Sequence, residues 1–277
     1  MPLNTPVIPF TKMHGLGNDF VVIDGRDLPD SKDLPALAAR LCDRHFGIGA
    51  DGLITTAPPS DPDRFDIRFV YLNGDGSWAE MCGNGIRCFA RFVRQRGLVD
   101  QDSFRVETLA GLITPTLNPD GTVTVDMGQP VIERVNDAIE VLGRSIPITT
   151  VSMGNPHCLV FQDELDTPLD PAVFGPAMEV HPAFPNKTNV EFVTVNRADD
   201  ISVTVWERGC GFTLACGTGA CATAVGAAHR GRTGSTATVH LPGGPLRIQW
   251  DPSPEGHVRM TGPAVTVFEG RAALNQA

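Results

Sequence analysis

The chain carries one short element twice. Residues 81–85 read Met-Cys-Gly-Asn-Gly and residues 215–219 read Ala-Cys-Gly-Thr-Gly, a separation of 134. Upstream, Gly17-Asn18-Asp19-Phe20-Val21 resembles Gly154-Asn155-Pro156-His157-Cys158 at a separation of 137, and Asn73 and Glu207 each stand nine residues before their cysteine. The landmarks fall in the same order in both halves. A repeat of this length signals duplicated domains rather than a solenoid. Two such halves facing each other would bring both Cys-Gly elements to one cleft, where ligand sites tend to form.

Between these landmarks the pattern is strand-rich. Residues 65–72, 122–126, 189–195 and 201–206 have the β-branched content and partial alternation of strands. Helical spacing is rarer. Asp33–Cys42 shows it, with Asp33 as cap and Leu34, Leu37, Ala38 and Leu41 on one face, and two further helices begin at Cys82 and Cys216. The first of these pairs an apolar face of Ile86, Phe89 and Val93 with arginines at 87, 91, 94 and 96. The second is small and apolar all round, which suits a helix buried in a domain centre. The expected class is α+β, with few helices.

Composition narrows the function. The 277 residues carry a formal net charge of −10, with no basic run to meet nucleic acid or an anionic membrane. No stretch approaches a membrane span. The start, MPLNTPVIPFTKMHG, has neither a basic opening nor an apolar run after it, so a cytoplasmic location is expected. Seven cysteines with no CxxC pair argue against a disulfide framework and a zinc centre, so no metal is expected. Only Lys12, Lys32 and Lys187 could form a Schiff base with pyridoxal, and no cofactor is expected.

A cysteine at a helix start meets unpaired backbone N–H groups and the positive end of the helix dipole, which favour thiolate. The same N–H groups can bind a carboxylate. Inverting an amino-acid α-carbon needs one group to remove a proton from one face and another to return one to the opposite face. Two thiols of tuned acidity meet that need, with the helix starts stabilising the developing negative charge. Cys82 and Cys216 are therefore the candidate acid/base pair. Cys42, Cys88, Cys158 and Cys221 read as buried structural thiols, and Cys210 as a loop residue.

At these residues the sequence resembles the diaminopimelate epimerases, pyridoxal-independent enzymes of lysine and peptidoglycan precursor synthesis. The matching segments are KMHGLGNDF (12–20), RHFGIGADG (44–52), NGDGSWAEMCGNGIRC (73–88), SMGNPH (152–157), TNVEFV (188–193), WERG (206–209) and LACGTGACA (214–222). The resemblance implies Cys82 and Cys216 as acid and base, with His157 and Glu207 assisting. It implies Gly83, Asn84, Gly217 and Thr218 at the reacting carboxylate, and Asn18, Asn73, Asn155, Asn189, Glu207 and Arg208 as further contacts of a small diamino-dicarboxylate substrate. Arg208 can fork onto a carboxylate, and the amides and Glu207 suit ammonium and carboxylate groups.

The resemblance further implies two similar domains, each a barrel-like sheet around a central helix, and a homodimer. The halves are expected at residues 1–127 and 128–263, with the final strand, 264–277, returning to the first. Taken alone, Asn18, Asn73 and Asn155 beside glycines read more readily as turn residues, Asn189 as a loop end, His157 as structural or exposed, and Glu207-Arg208 as a surface pair. The sequence departs from common family patterns at Gly52, where some members have Gln, at Cys210 and Phe212, and at Phe268, where some have Tyr. Three rival readings are a proline-racemase-type two-cysteine enzyme, which usually continues its first motif Cys-Gly-His and lacks the GNPH segment, a related isomerase fold that works without the cysteine pair, against which both cysteines argue, and a thiol redox or metal-binding protein.

Overall fold

The structure is a computed structural model that describes residues 7–29 and 33–273. The first six residues of the N-terminal stretch, Lys32, and residues 274–277 of the expected returning strand lie outside the described residues. In chain order the elements are β1 (Val7–Gly15), β2 (Asn18–Ile23), α1 (Leu34–Cys42), β3 (Gly52–Ala57), β4 (Ile67–Asn73), α2 (Gly83–Gln95), β5 (Val106–Thr108), β6 (Gly111–Ile113), β7 (Thr116–Leu117) and β8 (Val123–Asp126). They continue with β9 (Val131–Val141), β10 (Arg144–Ser152), β11 (Pro156–Phe161), α3 (Pro171–Glu179), β12 (Asn189–Arg197), β13 (Asp200–Glu207), β14 (Gly211–Phe212), α4 (Gly217–His229), β15 (Thr236–Leu241), β16 (Gly244–Trp250), β17 (Val258–Gly262) and β18 (Val265–Ala273). The chain divides into two compact units, Met1–Val125 with Pro263–Ala277, and Asp126–Gly262.

In the first unit the sheet runs β18-β1-β2-β3-β4-β5-β6. Strands β1 and β2 form an antiparallel hairpin, β2 lies parallel to β3, β3 antiparallel to β4, β4 parallel to β5, and β5 antiparallel to β6. Strand β18 adds antiparallel to β1, with Val7 opposite Ala273. In the second unit β10 and β11 are antiparallel, β11 and β12 parallel, β12 and β13 antiparallel, β13 and β15 parallel, and β15 and β16 antiparallel. The pairing pattern is the same in both units, and the fold is the α+β duplication expected.

The duplication is tighter than the motifs alone suggest. An offset of 137 carries β1 onto β10, α1 onto α3, and the start of β3 onto the start of β12. An offset of 134 carries α2 onto α4 end to end. Helix α3 was not anticipated, because Gly175 and Pro176 interrupt its helical pattern. Gly175 is where Trp206 packs: a methyl group there would lie 2.7 Å from the indole.

Each unit buries both faces of its central strands, so those strands read as near-continuous apolar runs. In the first unit Val21, Ile23, Leu53 and Leu72 pack with Leu37 and Leu41 of α1. The alternate residues meet α2, as in the edge-on contact of Phe69 with Phe89 at 5.1 Å. In the second unit Cys158, Val160, Val190 and Phe192 pack with Phe174 and Met178 of α3. Helix α4 lies against β10, β11, β12, β13, β15, β16 and β17 of its own sheet. Its small residues permit that approach. A methyl group on Gly226 would come within 2.2 Å of Leu159 Cδ1.

Arg87 of α2 is fully buried and donates to the carbonyls of Gly83 at 3.0 Å and Pro263 at 3.2 Å, and to Asn84 Oδ1 at 2.7 Å. Among the described residues no helix is long and apolar enough to cross a membrane.

Candidate functional site

Cys82 is the N-cap of α2, with extended backbone (φ −139°, ψ 121°), and its Sγ accepts from the Gly85 N–H at 3.4 Å. The first intrahelical bond is Ile86 N to Cys82 O at 2.8 Å, so the N–H groups of Gly83 and Asn84 precede the helical ladder. Asn18 stands beside this start. Its Oδ1 accepts from Cys82 Sγ at 3.6 Å and from Asn84 Nδ2 at 3.1 Å, while its Nδ2 donates to Asp51 Oδ2 at 2.7 Å. Asp51 therefore dictates which way the Asn18 amide faces. Arg44 bridges Asp51 and Asp19 at 2.8 Å each, and Lys12 pairs with Asp19 from the buried side. Asn73 is engaged elsewhere, its Nδ2 donating to Ser77 Oγ at 3.0 Å within a turn. Gly52 has no room for a side chain, since a methyl group there would lie 2.5 Å from Tyr71.

Cys216 is the N-cap of α4 in the same extended conformation (φ −117°, ψ 106°), with Ala220 N to Cys216 O at 3.0 Å as the first helical bond. Gly217 and Thr218 occupy the first turn. The expectation that this thiol would be acidified is overturned. Burial, then the negative charges of Glu207 and Glu191, push the Cys216 thiol well above its ordinary value, and the hydrogen bond to Glu207 adds to the effect. The helix start does not compensate for the burial of Cys216, 5 % exposed, beside two carboxylates.

A continuous set of hydrogen bonds surrounds this cysteine. His157 and Glu191, both with fully buried side chains, meet through Nδ1 and Oε1 at 2.6 Å. His157 Nε2 lies 3.0 Å from Asn155 Oδ1, Asn155 Nδ2 donates to Thr218 Oγ1 at 3.3 Å, and Thr218 Oγ1 is 3.7 Å from Cys216 Sγ. Burial pushes the Glu191 carboxyl above the usual carboxylate range, against the pull of His157. Asn189 is buried, donating to Pro156 O at 2.8 Å and accepting from the Arg208 N–H at 3.0 Å, so it shapes the Glu207-Arg208 turn. The Arg208 guanidinium is exposed and touches Asn186 O at 3.3 Å.

Glu179 fixes the far side of that turn, accepting from Trp206 Nε1 at 2.9 Å, Gly209 N at 3.0 Å and Lys187 at 3.2 Å. Phe212 stacks edge-on against Trp206 at 5.1 Å, which accounts for an aromatic residue there, and Cys210 is exposed at the tip of the loop. Phe268 packs its ring on Phe10 at 5.8 Å.

Asp51, Glu179, Glu191 and Arg87 were not singled out from sequence. For Glu191 a signal existed. The offset of 137 aligns it with Ile54, and His157 with Phe20. Among the described residues no group of three or more His, Cys, Asp or Glu side chains is gathered as a metal site, and none of the seven cysteines is in a disulfide.

A family description, diaminopimelate epimerase, matches residues 10–133 and 149–267. A diaminopimelate epimerase from Heliobacterium modesticaldum is 50% identical over 285 residues, covering 96% of this chain and 99% of that protein. In fold the chain is similar to a phenazine biosynthesis protein of the PhzF family from Bacillus anthracis, with a TM-score of 0.74 at 17% identity over 97% of this chain and 99% of that one. It is likewise similar to a hydroxyproline epimerase from Agrobacterium vitis, with a TM-score of 0.68 at 18% identity over 100% and 95% of the two chains. By the span of the family match and the half-identical relative, the chain belongs to the diaminopimelate epimerase family.

Proposed function

We propose that this protein interconverts LL- and meso-diaminopimelate in lysine and peptidoglycan precursor synthesis, with Cys82 and Cys216 as the acid/base pair. The observation that carries the mechanism is that both cysteines are N-caps of equivalent helices in a duplicated frame. One thiolate removes the α-proton, the opposite thiol returns a proton to the other face, and the reverse reaction exchanges the roles. The first-turn N–H groups of Gly83, Asn84, Gly217 and Thr218 suit the reacting carboxylate, where negative charge develops.

Glu207 accepts the Cys216 S–H and is the group able to take its proton when Cys216 acts as base. The exposed Arg208 suits the remote carboxylate, and Asn18, Asn73, Asn155 and Asn189 supply amides at or behind the binding groups. His157 assists through Asn155 and Thr218. No cofactor enters this scheme. We place the protein in the cytoplasm as a homodimer, with the half-exposed Phe268 and Val267 of β18 as the contact.

The test is incubation with LL-diaminopimelate in deuterated water without added cofactor. The expected product is the meso isomer carrying one deuterium at the inverted α-carbon. Product without label, or turnover only with added pyridoxal phosphate, overturns the reading. Proline and trans-4-hydroxyproline serve as control substrates and should not be turned over.

A further inference from the structure

We propose that Glu191 is a positioning residue for Cys216, setting through His157, Asn155 and Thr218 the direction in which hydrogen bonds reach the sulfur. The inference rests on Cys216 being an acid/base group. Three observations support it, and the first is the fold's own repeat. Beneath Gly85, in the first turn of α2, lie Ile54 and Phe20, 3.3 and 3.6 Å from where a methyl group would stand. Beneath Gly219, the equivalent position of α4, a methyl group would instead lie 2.9 Å from Glu191 Oε1. The same place in a duplicated frame is thus filled by an apolar pair in one unit and by a buried acid and imidazole in the other. Buried pairs of this kind are seldom better for stability than the apolar residues they replace. A reason other than packing is needed.

The second observation is the polarity of the contacts. His157 Nε2 faces an amide oxygen, Asn155 Oδ1, which can only accept, so Nε2 carries a proton. His157 Nδ1 faces Glu191 Oε1, and that 2.6 Å contact holds a second proton between nitrogen and oxygen. With its oxygen engaged by His157, Asn155 donates to Thr218 Oγ1, and the Thr218 hydroxyl proton is left to point at Cys216 Sγ. A donor aimed at sulfur favours thiolate. It opposes the two carboxylates that hold the proton on this thiol.

The third is that His157 is the one side chain among the described residues that is hydrogen-bonded to Glu191. Besides it the carboxyl meets only the Cys158 backbone N–H, and the Glu191 side chain is fully buried away from solvent. Without Glu191 the imidazole would be free to put its single proton on Nδ1. Asn155 would then turn to donate to Nε2, Thr218 would donate to Asn155, and Cys216 would lose the Thr218 donor while keeping the Gly219 N–H. The charged or titratable groups facing this pair are Glu207, Cys216 and Cys158.

The experiment follows alkylation of Cys216 by iodoacetamide without substrate, read on its own peptide by mass spectrometry, in the wild type and in Glu191→Gln, Glu191→Leu and Thr218→Val. Gln can donate its amide N–H to His157 Nδ1 and keep Nε2 protonated; E191Q therefore keeps the Thr218 donor while losing a negative charge beside the sulfur, and should react as fast as wild type or faster. E191L loses the same charge and the donor, so it should react about fivefold more slowly than E191Q, the weight of one hydrogen bond. T218V should react about fivefold more slowly than wild type, and the E191L/T218V double variant should be no slower than T218V. Equal rates in E191Q and E191L above wild type would mean that Glu191 acts only as a nearby negative charge, and no change in either would mean packing alone. Each result overturns the proposal.

Should E191L fail to fold, ¹⁵N-histidine NMR of the wild type decides. His157 Nε2 should carry a proton, and an unprotonated Nε2 sinks the idea. Neither measurement involves substrate, so failure here leaves the epimerase reading standing, and failed deuterium incorporation leaves these results unmoved.

Discussion

The two helix starts share a backbone and differ in what surrounds the sulfur. Cys82 accepts from the Gly85 N–H and faces the Asn18 carbonyl oxygen, and Phe20 and Ile54 lie beneath Gly85 in the same turn. Cys216 sits over Glu191 and beside Glu207, with Thr218 as a neighbouring hydroxyl. Duplication supplied the geometry twice, and substitution afterwards gave each copy its own electrostatics.

The comparison is broken most severely by removing either sulfur. Cys82→Ala and Cys216→Ala are each expected to lower epimerisation by roughly 10³-fold or more, within the range of general acid–base effects, with thermal unfolding little changed. Each variant should still exchange the α-proton of one stereoisomer with deuterated water, a different isomer in each case. Exchange of the same isomer by both would mean that the two thiols do not address opposite faces.

Next in size is a transplant. His157→Phe with Glu191→Ile gives the second unit the apolar pair of the first. Epimerisation should fall about 10²-fold, while the melting temperature should hold or rise, because a well-packed apolar pair commonly equals or exceeds a buried ionic one by ~1–4 kcal/mol. Glu191→Ile alone should melt lower, since a buried imidazole left without its partner costs about 1–3 kcal/mol. Full activity in the double variant would reduce the difference between the units to packing.

How much of this was legible in sequence depends on whether the signal was local. The class, the duplication and the helix starts could be read because CGxG, the Asn-bearing turns and the cap Asp33 are local patterns; Asp33 does accept from the Ala36 N–H at 3.1 Å. Helix α3 was hidden by Gly175 and Pro176, yet it lies where the repeat places it. The acidity of Cys216 was misread because its carboxylates arrive from β12 and β13, and only the helix start is adjacent in sequence. Glu191 alternates with apolar residues in a strand and looks like a solvent-facing position. Both faces of that strand are covered, which a two-residue period cannot reveal.

A smaller effect should come from Glu207→Gln, which separates charge from shape at Cys216. Glu207 raises the thiol both by its charge and by accepting its hydrogen bond. Removing the charge makes thiolate easier to form, so the pH profile of Cys216 alkylation should move to lower pH, several-fold faster at pH 8. Turnover should nevertheless fall, because the proton acceptor is lost. An upward move of the profile would contradict the electrostatic account of this site.

The mildest probe is a single methyl group placed at equivalent positions. Gly85→Ala would bring its Cβ to 3.3 Å from Cys82 Cβ and Ile54 Cδ1, contacts that a few tenths of an ångström relieve. Alanine also favours the helix by up to about 1 kcal/mol over glycine. Gly219→Ala would set its Cβ 2.9 Å from Glu191 Oε1 and 3.2 Å from Cys216 Sγ, displacing the carboxylate, the sulfur or both. G85A is therefore expected to melt within a degree or two of wild type and keep most of its turnover. G219A should lose several-fold in kcat for a similar change in melting, with its Cys216 alkylation rate altered and the Cys82 rate untouched. Equal kinetic losses in the two variants would mean that the carboxylate beneath Gly219 has no influence on the sulfur above it.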